Sequence, residues 1–452
     1  MASLTPALAV SSCGCFLPDL TRFTRLQCGG ARRVHYARAE RSESGVTADY
    51  DCQMSDALNK SLDRARALIE SSRFADAVAL LEPLKDPYQD NLELWFTLGR
   101  AKGMLGNEAE AEAAFSRAVE LRPEMHEAHL NLALSRVYRG KLRDAIPCFV
   151  AARRLNPDIP GLDKTLFDIL QSILQEDASV PIDRLELRPL GDAPLVSIIV
   201  PTQNRIGLLK DALASAARQT YRNWEIVVVN DGGEDISGVI GDLPRDVAAK
   251  TTALRLPTPT GQARARNRAI EASRGEVLTF LDDDDIYLPE HLQTLVAGMR
   301  ESDAGFAYTL SEKVNERLVD GKRVEFQRNA VFQDLRFSRE LLQVRNFIAP
   351  ASWAIRRTCF EQCGLFDDTL ACLEDWDLLL RFSERTTFHR IASITNEVHI
   401  RMSAGDSVST RIPALSTFKL LYKRYPSRGN GFVDLARELH LSALFSLPPQ
   451  QG

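Results

Sequence analysis

The chain has 452 residues, of which 44% are hydrophobic and 26% are charged. This length corresponds to about three structural units. The composition is that of a folded globular protein, which excludes a wholly disordered chain, a collagen and a disulfide-dense miniprotein. Lys and Arg number 56 against 61 Asp and Glu, a net charge of −5. Charge therefore gives no argument for nucleic acid or an anionic membrane as a partner.

Residues 1–45 are rich in Ala, Ser and Arg, and their acids are limited to Asp19, Glu40 and Glu43. This pattern fits an organellar targeting segment or a plain disordered tail, and we leave residues 1–55 outside the fold. No stretch reaches the ~20 apolar residues of a membrane-spanning helix. The eight cysteines follow no regular frame, so we expect reduced thiols and a cytoplasmic protein.

The next part of the chain is similar to itself after a shift of 34 residues. The coinciding pairs are Leu98 and Leu132, Gly106 and Gly140, Ala111 and Ala145, Phe115 and Phe149, Leu121 and Leu155, and Pro123 and Pro157. A weaker copy upstream has Ala77 and Leu81 in register. The spacing predicts pairs of helices, with each glycine in the left-handed conformation that ends a helix.

These repeats, with the pattern W-F-T-L-G-R-A from Trp95, resemble tetratricopeptide repeats over residues 56–157. The resemblance implies an all-α domain over residues 56–176, closed by a capping helix over 162–175. Its concave face would dock a peptide or a protein partner, or the domain would only stabilise or oligomerise the one after it. Prolines mark residues 177–194 as a linker.

From Leu195 onwards, short apolar runs alternate with helical patterns. The predicted strands are 195–201, 225–230, 251–257 and 276–281, and the predicted helices between them are 207–219 and 263–273. Continuous apolar strands that alternate with helices indicate an α/β fold with a mainly parallel sheet and helices on both faces. Ligands bind beyond the carboxyl ends of such strands. The polar residues that come after each strand are therefore the candidate site.

Four aspartates, 282–285, come after the fourth strand between apolar residues that we expect to be buried. Adjacent carboxylates raise one another's pKa values, and a divalent cation would relieve that repulsion. Asp282 and Asp284 share a face of an extended backbone, and their oxygens suit Mn²⁺ or Mg²⁺. Two carboxylates are too few for a full cage, so a diphosphate and water would complete it. The alternative is a purely structural acidic turn.

Four motifs in this region together resemble the family 2 inverting glycosyltransferases, which have the GT-A fold. They are SIIVPTQNR from Ser197, RQTYRNWEIVVVNDGGED from Arg218, GQARARNRAIEASRGEVLTFLDDDD from Gly261, and LEDWDLLLR from Leu373. The resemblance spans residues 195–410 and leaves 411–452 as a C-terminal helical extension. It implies a nucleotide-diphosphate sugar donor, most often a UDP-sugar. A P-loop or dinucleotide-binding glycine motif is missing from the sequence.

The resemblance also implies roles for individual residues. Thr202 and Asn204 would line the nucleotide pocket, Asp231 would bind the base, and Arg266 would approach the base or diphosphate. Asp282 would face the ribose and the metal, and Asp284 would bind the metal directly. The chain departs from the family at Asn230, where an acid is usual, and a tight turn is the alternative explanation for Asp231.

Asp375 matches the family's general base, with Glu374 beside it in the acceptor site. The pattern of Leu373, Trp376 and Leu379 predicts a helix that begins here. Acids are also favoured in a first helical turn without any catalytic role. His399 and Arg401 fall where the family closes a loop over the donor.

The sequence therefore predicts an inverting, metal-assisted glycosyltransferase. The alternative is an inactive repeat-protein scaffold that still binds a nucleotide sugar. The acceptor would be a glycan, a lipid-linked glycan or a protein, and by resemblance the setting would be glycan assembly at the inner face of a membrane. Paired carboxylates could also indicate a glycoside hydrolase, but an acidic run at a strand end suits a diphosphate better.

Overall fold

The computed structural model describes residues 45–176, 184–319, 322–332, 334–401 and 415–445. The chain divides into two compact units, Met1–Ile173 and Leu174–Gly452. The predictions for residues 1–44, and for the parts of the predicted linker and transferase domain at 177–183 and 402–410, lie outside the described residues. None of the described helices is both long enough and apolar enough to cross a membrane.

The first unit is built from helices. They are α1 Gly45–Glu70, α2 Phe74–Leu81, α3 Leu92–Met104, α4 Glu108–Leu121, α5 His126–Tyr138, α6 Leu142–Leu155 and α7 Leu162–Glu176, the last of which runs into the second unit. The first of them begins at Gly45, inside the stretch that we assigned to the tail.

The helix pairs repeat at the interval found in the sequence. Helices α3 and α5 begin at Leu92 and His126, 34 residues apart, and α4 and α6 begin at positions with the same spacing. The predicted left-handed glycines are confirmed, with φ values of +79° at Gly106 and +73° at Gly140. Equivalent side chains such as Phe115 and Phe149 are buried. The helical repeat is therefore established, and its assignment as a tetratricopeptide repeat stays a prediction.

The second unit contains a nine-stranded sheet among its described residues. Its strands are β1 Val196–Thr202, β2 Trp224–Asp231, β3 Thr251–Leu256, β4 Val277–Phe280, β5 Ile286–Tyr287, β6 Phe306–Val319, β7 Lys322–Phe332, β8 Trp353–Arg356 and β9 Phe388–Arg401. Its helices are α8 Ile206–Ala217, α9 Ser237–Gly241, α10 Arg245–Ala248, α11 Gln262–Ala272, α12 His291–Ser302, α13 Arg339–Leu342, α14 Arg357–Cys363, α15 Glu374–Ser383, α16 Leu415–Arg424 and α17 Gly431–Phe445.

The strand order is β3-β2-β1-β4-β8-β6-β9-β5, with β7 paired to β6. The first four strands are parallel, as the alternation of strands and helices predicted. Beyond β4 the sheet departs from the predicted mainly parallel arrangement, because β8 runs antiparallel to both β4 and β6, whereas β6 and β9 pair in parallel. Strands β6 and β7 are joined within two residues, which permits only antiparallel pairing. The sheet is therefore mixed.

Burial along the strands explains which of them were easiest to predict. Every residue of β1, β2 and β4 is buried, as continuous apolar strands require. Strand β3 lies at the edge of the sheet and is half exposed. The central strands β1, β2 and β4 thus carry the core, and their carboxyl ends form one polar edge.

Two glycines of α3 provide a matched test of packing in the first unit. A Cβ atom on Gly99 would lie 2.8 Å from the buried Phe115 ring, whereas one on Gly103 would lie at an ordinary 3.7 Å from Ala111. We expect Gly99→Ala to lower the free energy of unfolding by about 1–2 kcal/mol, because overpacking outweighs the gain in helix propensity.

The control, Gly103→Ala, should raise the same free energy by about 0.5–1 kcal/mol. Chemical denaturation of the full chain measures both. Equal effects of the two substitutions would contradict close packing at Gly99.

Candidate active site

The parallel strands bring three of the predicted residues to one edge of the sheet. Thr202 ends β1 and lies in register with Asn230 of β2. Asp231 ends β2, and Asp282 comes after β4, which pairs with the other side of β1. This edge is where ligands bind in open α/β sheets.

Asp231 is buried and is hydrogen-bonded to the loop before α11. Its carboxylate accepts hydrogen bonds from the backbone N–H of Thr260 at 2.7 Å, from the Thr260 hydroxyl at 2.8 Å and from the N–H of Gly261 at 2.8 Å. The following Gly232 has φ +68°, and a Cβ atom there would lie 2.4 Å from the backbone nitrogen of Pro259. The carboxylate thus fixes the loop that leads to Arg266, whatever else it binds.

Asn204 is exposed and has a left-handed φ of +56°. Its side-chain oxygen accepts a hydrogen bond from the N–H of Glu234 at 2.9 Å. Asn230, which stands where the family usually has an acid, accepts one from the N–H of Gly233 at 2.8 Å. The two asparagines therefore shape the loop after β2 from both sides.

In the acidic turn, residues 282–285, each carboxylate has its own set of hydrogen-bond donors. Asp282 accepts hydrogen bonds from Gln262 at 3.0 Å and from Arg266 at 2.8 Å. Asp283 accepts them from Thr202 at 2.7 Å and from Arg205 at 3.0 Å. Burial, with a smaller contribution from Asp284, nevertheless raises the pKa of Asp283 to about 6.

Asp284 and Asp285 face the end of β9. Asp284 contacts Arg401 and pairs with Arg205 at 3.0 Å through the same carboxylate oxygen, Oδ2. Asp285 accepts the backbone N–H of His399 at 3.0 Å. Burial and the neighbouring Asp284 hold the pKa of Asp285 well above its usual range. The two β9 residues singled out in the sequence therefore lie against the acidic turn.

A buried carboxylate that the sequence analysis missed, Glu316 of β6, organises this cluster. It accepts a hydrogen bond from His399 at 2.8 Å and pairs with Arg323 and Arg401, each at 3.2 Å. Burial alone would lower the pKa of His399. Its hydrogen bonds to Glu316 and Glu397 nevertheless raise that pKa to about 9. No sequence motif marks Glu316, because two of its three partners, His399 and Arg401, come from the distant strand β9.

Arg266 joins the acidic turn to Glu374, the neighbour of Asp375. Its side chain is 2% exposed, and its guanidinium donates to Asp282 at 2.8 Å and to Glu374 at 3.0 Å. The ring of Phe366 lies beneath the guanidinium, 5.4 Å from its carbon. A buried charge needs paired opposite charges of this kind. Asp282 and Glu374 are thus held within the span of one guanidinium.

Asp375 lies in the first turn of α15, as predicted, after Leu373 with a left-handed φ of +63°. Its Oδ1 accepts the backbone N–H of Trp376 at 2.8 Å, and its Oδ2 accepts the Asn346 amide at 2.9 Å. Burial, followed by repulsion from Glu374, raises the pKa of Asp375 to about 6. A carboxylate with that pKa is ionised near neutrality and can take up a proton.

The residues proposed for the metal provide an open donor set and not a closed cage. Among the described residues, no group of three or more His, Cys, Asp or Glu side chains is placed to hold a metal. The side chains of Arg205 and Arg401 contact Asp284 through its Oδ2, and no donor among the described residues bonds to its Oδ1. One carboxylate oxygen is therefore available to a cation whose other ligands come from substrate and water, as Mn²⁺ and Mg²⁺ accept.

Comparison with known proteins identifies the chain as a glycosyltransferase. The family described as Glycosyl transferase family 2 matches residues 197–364. The chain is 32% identical over 263 residues to the Escherichia coli K12 protein named "Putative colanic acid biosynthesis glycosyl transferase WcaA", a match that covers 56% of this chain and 88% of that protein. The chain belongs to glycosyl transferase family 2.

The chain is also similar to other relatives and solved structures. The "Uncharacterized glycosyltransferase YwdF" of Bacillus subtilis 168 is 28% identical over 224 residues, which cover 48% of this chain and 79% of that protein. A structure of S. aureus TarS with UDP-GlcNAc is 19% identical, with a TM-score of 0.44, over 57% of this chain and 74% of that one. That TM-score is too low to carry an argument about this chain.

The buried bridge between Arg266, Asp282 and Glu374 predicts a large loss of stability when its cation is removed. We expect Arg266→Met to lower the free energy of unfolding by about 3–5 kcal/mol, because Asp282 and Glu374 lose their shared cation. Urea denaturation of the full chain measures it.

The matched control is Arg264→Met on the same helix. Its exposed guanidinium pairs with Asp368 at 2.9 Å, and its removal should cost about 0–1 kcal/mol. Equal losses in the two variants would contradict the charge bridge.

Proposed function

We propose that this glycosyltransferase moves a sugar from a nucleoside-diphosphate donor, a UDP-sugar first of all, to an acceptor hydroxyl with inversion. The observation that carries the proposal is the Arg266 bridge. It holds Asp282, at the end of β4, and Glu374, the neighbour of Asp375, on one guanidinium. A donor at the sheet edge and a base at the start of α15 would therefore face a common space.

The donor would lie along the carboxyl ends of β1, β2 and β4. Asp231 would accept a hydrogen bond from the base, Thr202 and Asn204 would line the nucleotide pocket, and Asp282 would face the ribose. Arg205, Arg266 and Arg401 provide cations around this edge. Guanidinium groups suit phosphate oxygens because they can donate two parallel hydrogen bonds.

Asp284, with Asp282, would hold Mn²⁺ or Mg²⁺. When bound, the cation would neutralise charge that develops on the leaving diphosphate. The available Oδ1 of Asp284 supports this assignment, and its Oδ2 stays paired with Arg205.

The reaction is a single displacement. Asp375 takes the proton from the acceptor hydroxyl as that oxygen forms its bond to the anomeric carbon. The bond from the anomeric carbon to the diphosphate oxygen breaks, and its electron pair leaves with the nucleoside diphosphate. Attack on the face opposite the leaving group inverts the anomeric centre.

The repeats of the first unit would form a tetratricopeptide domain that docks a protein partner or the acceptor. The 34-residue interval between equivalent helices and the left-handed Gly106 and Gly140 support this assignment. The acceptor would be a glycan, a lipid-linked glycan or a protein. Lipid-linked acceptors would bring the chain to the surface of a membrane.

Calorimetric titration tests the donor site. We expect UDP to bind the purified full chain in the presence of Mn²⁺, and Asp284→Ala to weaken that binding at least 10-fold, because it loses a metal ligand. The control is Asp242→Ala, which removes an exposed carboxylate paired with Lys210 and should bind as wild type does. GDP binding without UDP binding would indicate a guanosine-diphosphate donor and not a uridine one. Equal UDP affinity in wild type and Asp284→Ala would exclude Asp284 as a metal ligand.

Asp375→Asn tests the base. We expect donor turnover to fall about 10²–10⁴-fold with UDP affinity kept, because proton transfer is lost and binding is not. In wild type, the rate should decline as the pH falls below about 6, since the raised pKa protonates the base there. Release of UDP from UDP-GlcNAc, with water as the acceptor, is one assay. The exposed Asp368→Asn is the control, and full turnover in Asp375→Asn would exclude Asp375 as base.

A further inference from the structure

Among the described residues, one side chain donates a hydrogen bond to the carboxylate of Asp375, the amide of Asn346. The distance from Nδ2 of Asn346 to Oδ2 of Asp375 is 2.9 Å. The amide orientation is fixed at its other end, because Oδ1 of Asn346 accepts the backbone N–H of Ile348 at 3.0 Å. The nitrogen must therefore face Asp375, where it donates to the charged form of the carboxylate.

The segment that carries Asn346 is itself held by three side-chain donors. The Trp376 indole donates to the carbonyl of Leu342 at 2.7 Å. The carbonyls of the next two residues, 343 and 344, accept from Arg437 at 2.9 Å and from Tyr422 at 2.7 Å. Three consecutive backbone carbonyls are thus fixed just before Asn346.

Two of these donors come from the C-terminal helices. Tyr422 lies on α16 and Arg437 on α17, and the Arg437 guanidinium stacks 4.5 Å over the Tyr422 ring. Tyr422 also meets the ring of Trp376 edge-on, with centroids 5.8 Å apart. Trp376 is the residue after Asp375, so the same aromatic contact ties both the base and its donor segment to the C-terminal extension.

We propose that Asn346 is a positioning residue for Asp375, which it orients and keeps ionised, and that the C-terminal helices α16 and α17 serve the site by fixing the Asn346 segment. This inference rests on the proposed role of Asp375 as general base. It gives a function to residues 415–445, for which the sequence motifs supplied none.

The charges that face Asp375 make a neutral donor useful there. Glu374 and Asp282 disfavour its ionised form, and Arg266 favours it. The Arg266 guanidinium, however, is hydrogen-bonded to those same two acids. Asn346 therefore contributes a hydrogen bond to the base that neither acid shares.

The test is a carbon-NMR titration of the full chain with ¹³C-carboxyl-labelled aspartate. The signal that disappears in Asp375→Asn belongs to Asp375. We expect Asn346→Ala to move its titration midpoint upward by about one pH unit, because a hydrogen bond to the charged form is lost. Asn346→Asp, which keeps the shape and replaces the donor by a carboxylate, should move it further in the same direction.

Tyr422→Phe should produce a smaller upward shift of the Asp375 midpoint. It removes the hydrogen bond that fixes the Val344 carbonyl but keeps the Asn346 side chain. The control is Asn223→Ala, which removes a side-chain bond to the Ala193 carbonyl at 2.8 Å and should leave the midpoint unchanged. An unchanged midpoint in both Asn346 variants would overturn the proposal. If the midpoint in Tyr422→Phe moved no more than in Asn223→Ala, the C-terminal helices would have no effect on Asp375 and that part of the proposal would fail.

Turnover separates this inference from the proposed function. The acidic limb of UDP release from UDP-GlcNAc should move upward with the Asp375 midpoint in the Asn346 variants. Shifted midpoints together with full turnover in Asp375→Asn would leave the coupling intact and exclude Asp375 as base. Loss of turnover in Asp375→Asn with unshifted midpoints would leave the base and exclude Asn346.

Discussion

The buried guanidinium of Arg266 fixes the distance between the two ends of the candidate site. A charge withdrawn from water costs several kcal/mol unless opposite charges surround it, and here Asp282 and Glu374 supply them. Each partner belongs to a different element, one at the end of β4 and the other at the start of α15. Electrostatic compensation therefore sets where α15 begins relative to the sheet edge, in addition to the apolar packing of its buried face.

The same constraint governs the acidic turn. Four neighbouring carboxylates at a buried strand end repel one another, and the chain relieves this by bringing arginines from separate segments. Arg205 comes after β1, Arg323 lies on β7 and contacts the backbone of Asp284, and Arg401 ends β9. Glu316 in turn fixes two of these arginines. The turn is thus part of a charge network of arginines and carboxylates, which explains why an acidic run can be buried in a nearly neutral chain.

The sequence predicted those parts of the fold that depend on local patterns. The parallel strands β1 to β4, the 34-residue helical repeat and the start of α15 could be derived from periodicity, glycines and caps. The mixed half of the sheet could not be predicted in this way, because β8 and β9 pair with strands far away in the chain. Glu316 and Asn346 could not be predicted for the same reason. Their neighbours in sequence carry no motif, and the partners His399 and Asp375 lie on β9 and α15.

The two ends of the candidate site therefore differ in how they are built. The proposed donor edge uses residues near the ends of β1, β2 and β4, and the family match, residues 197–364, includes these strands. Asp375, the proposed base, lies beyond that match, and the elements around it, the Asn346 segment, α16 and α17, come together from distant parts of the chain. Under the proposed function, changes in those elements would alter the position of the base without touching the strand ends. The proposed acceptor side could then differ while the proposed donor edge is kept, which a transferase needs if one donor chemistry is to serve different acceptors.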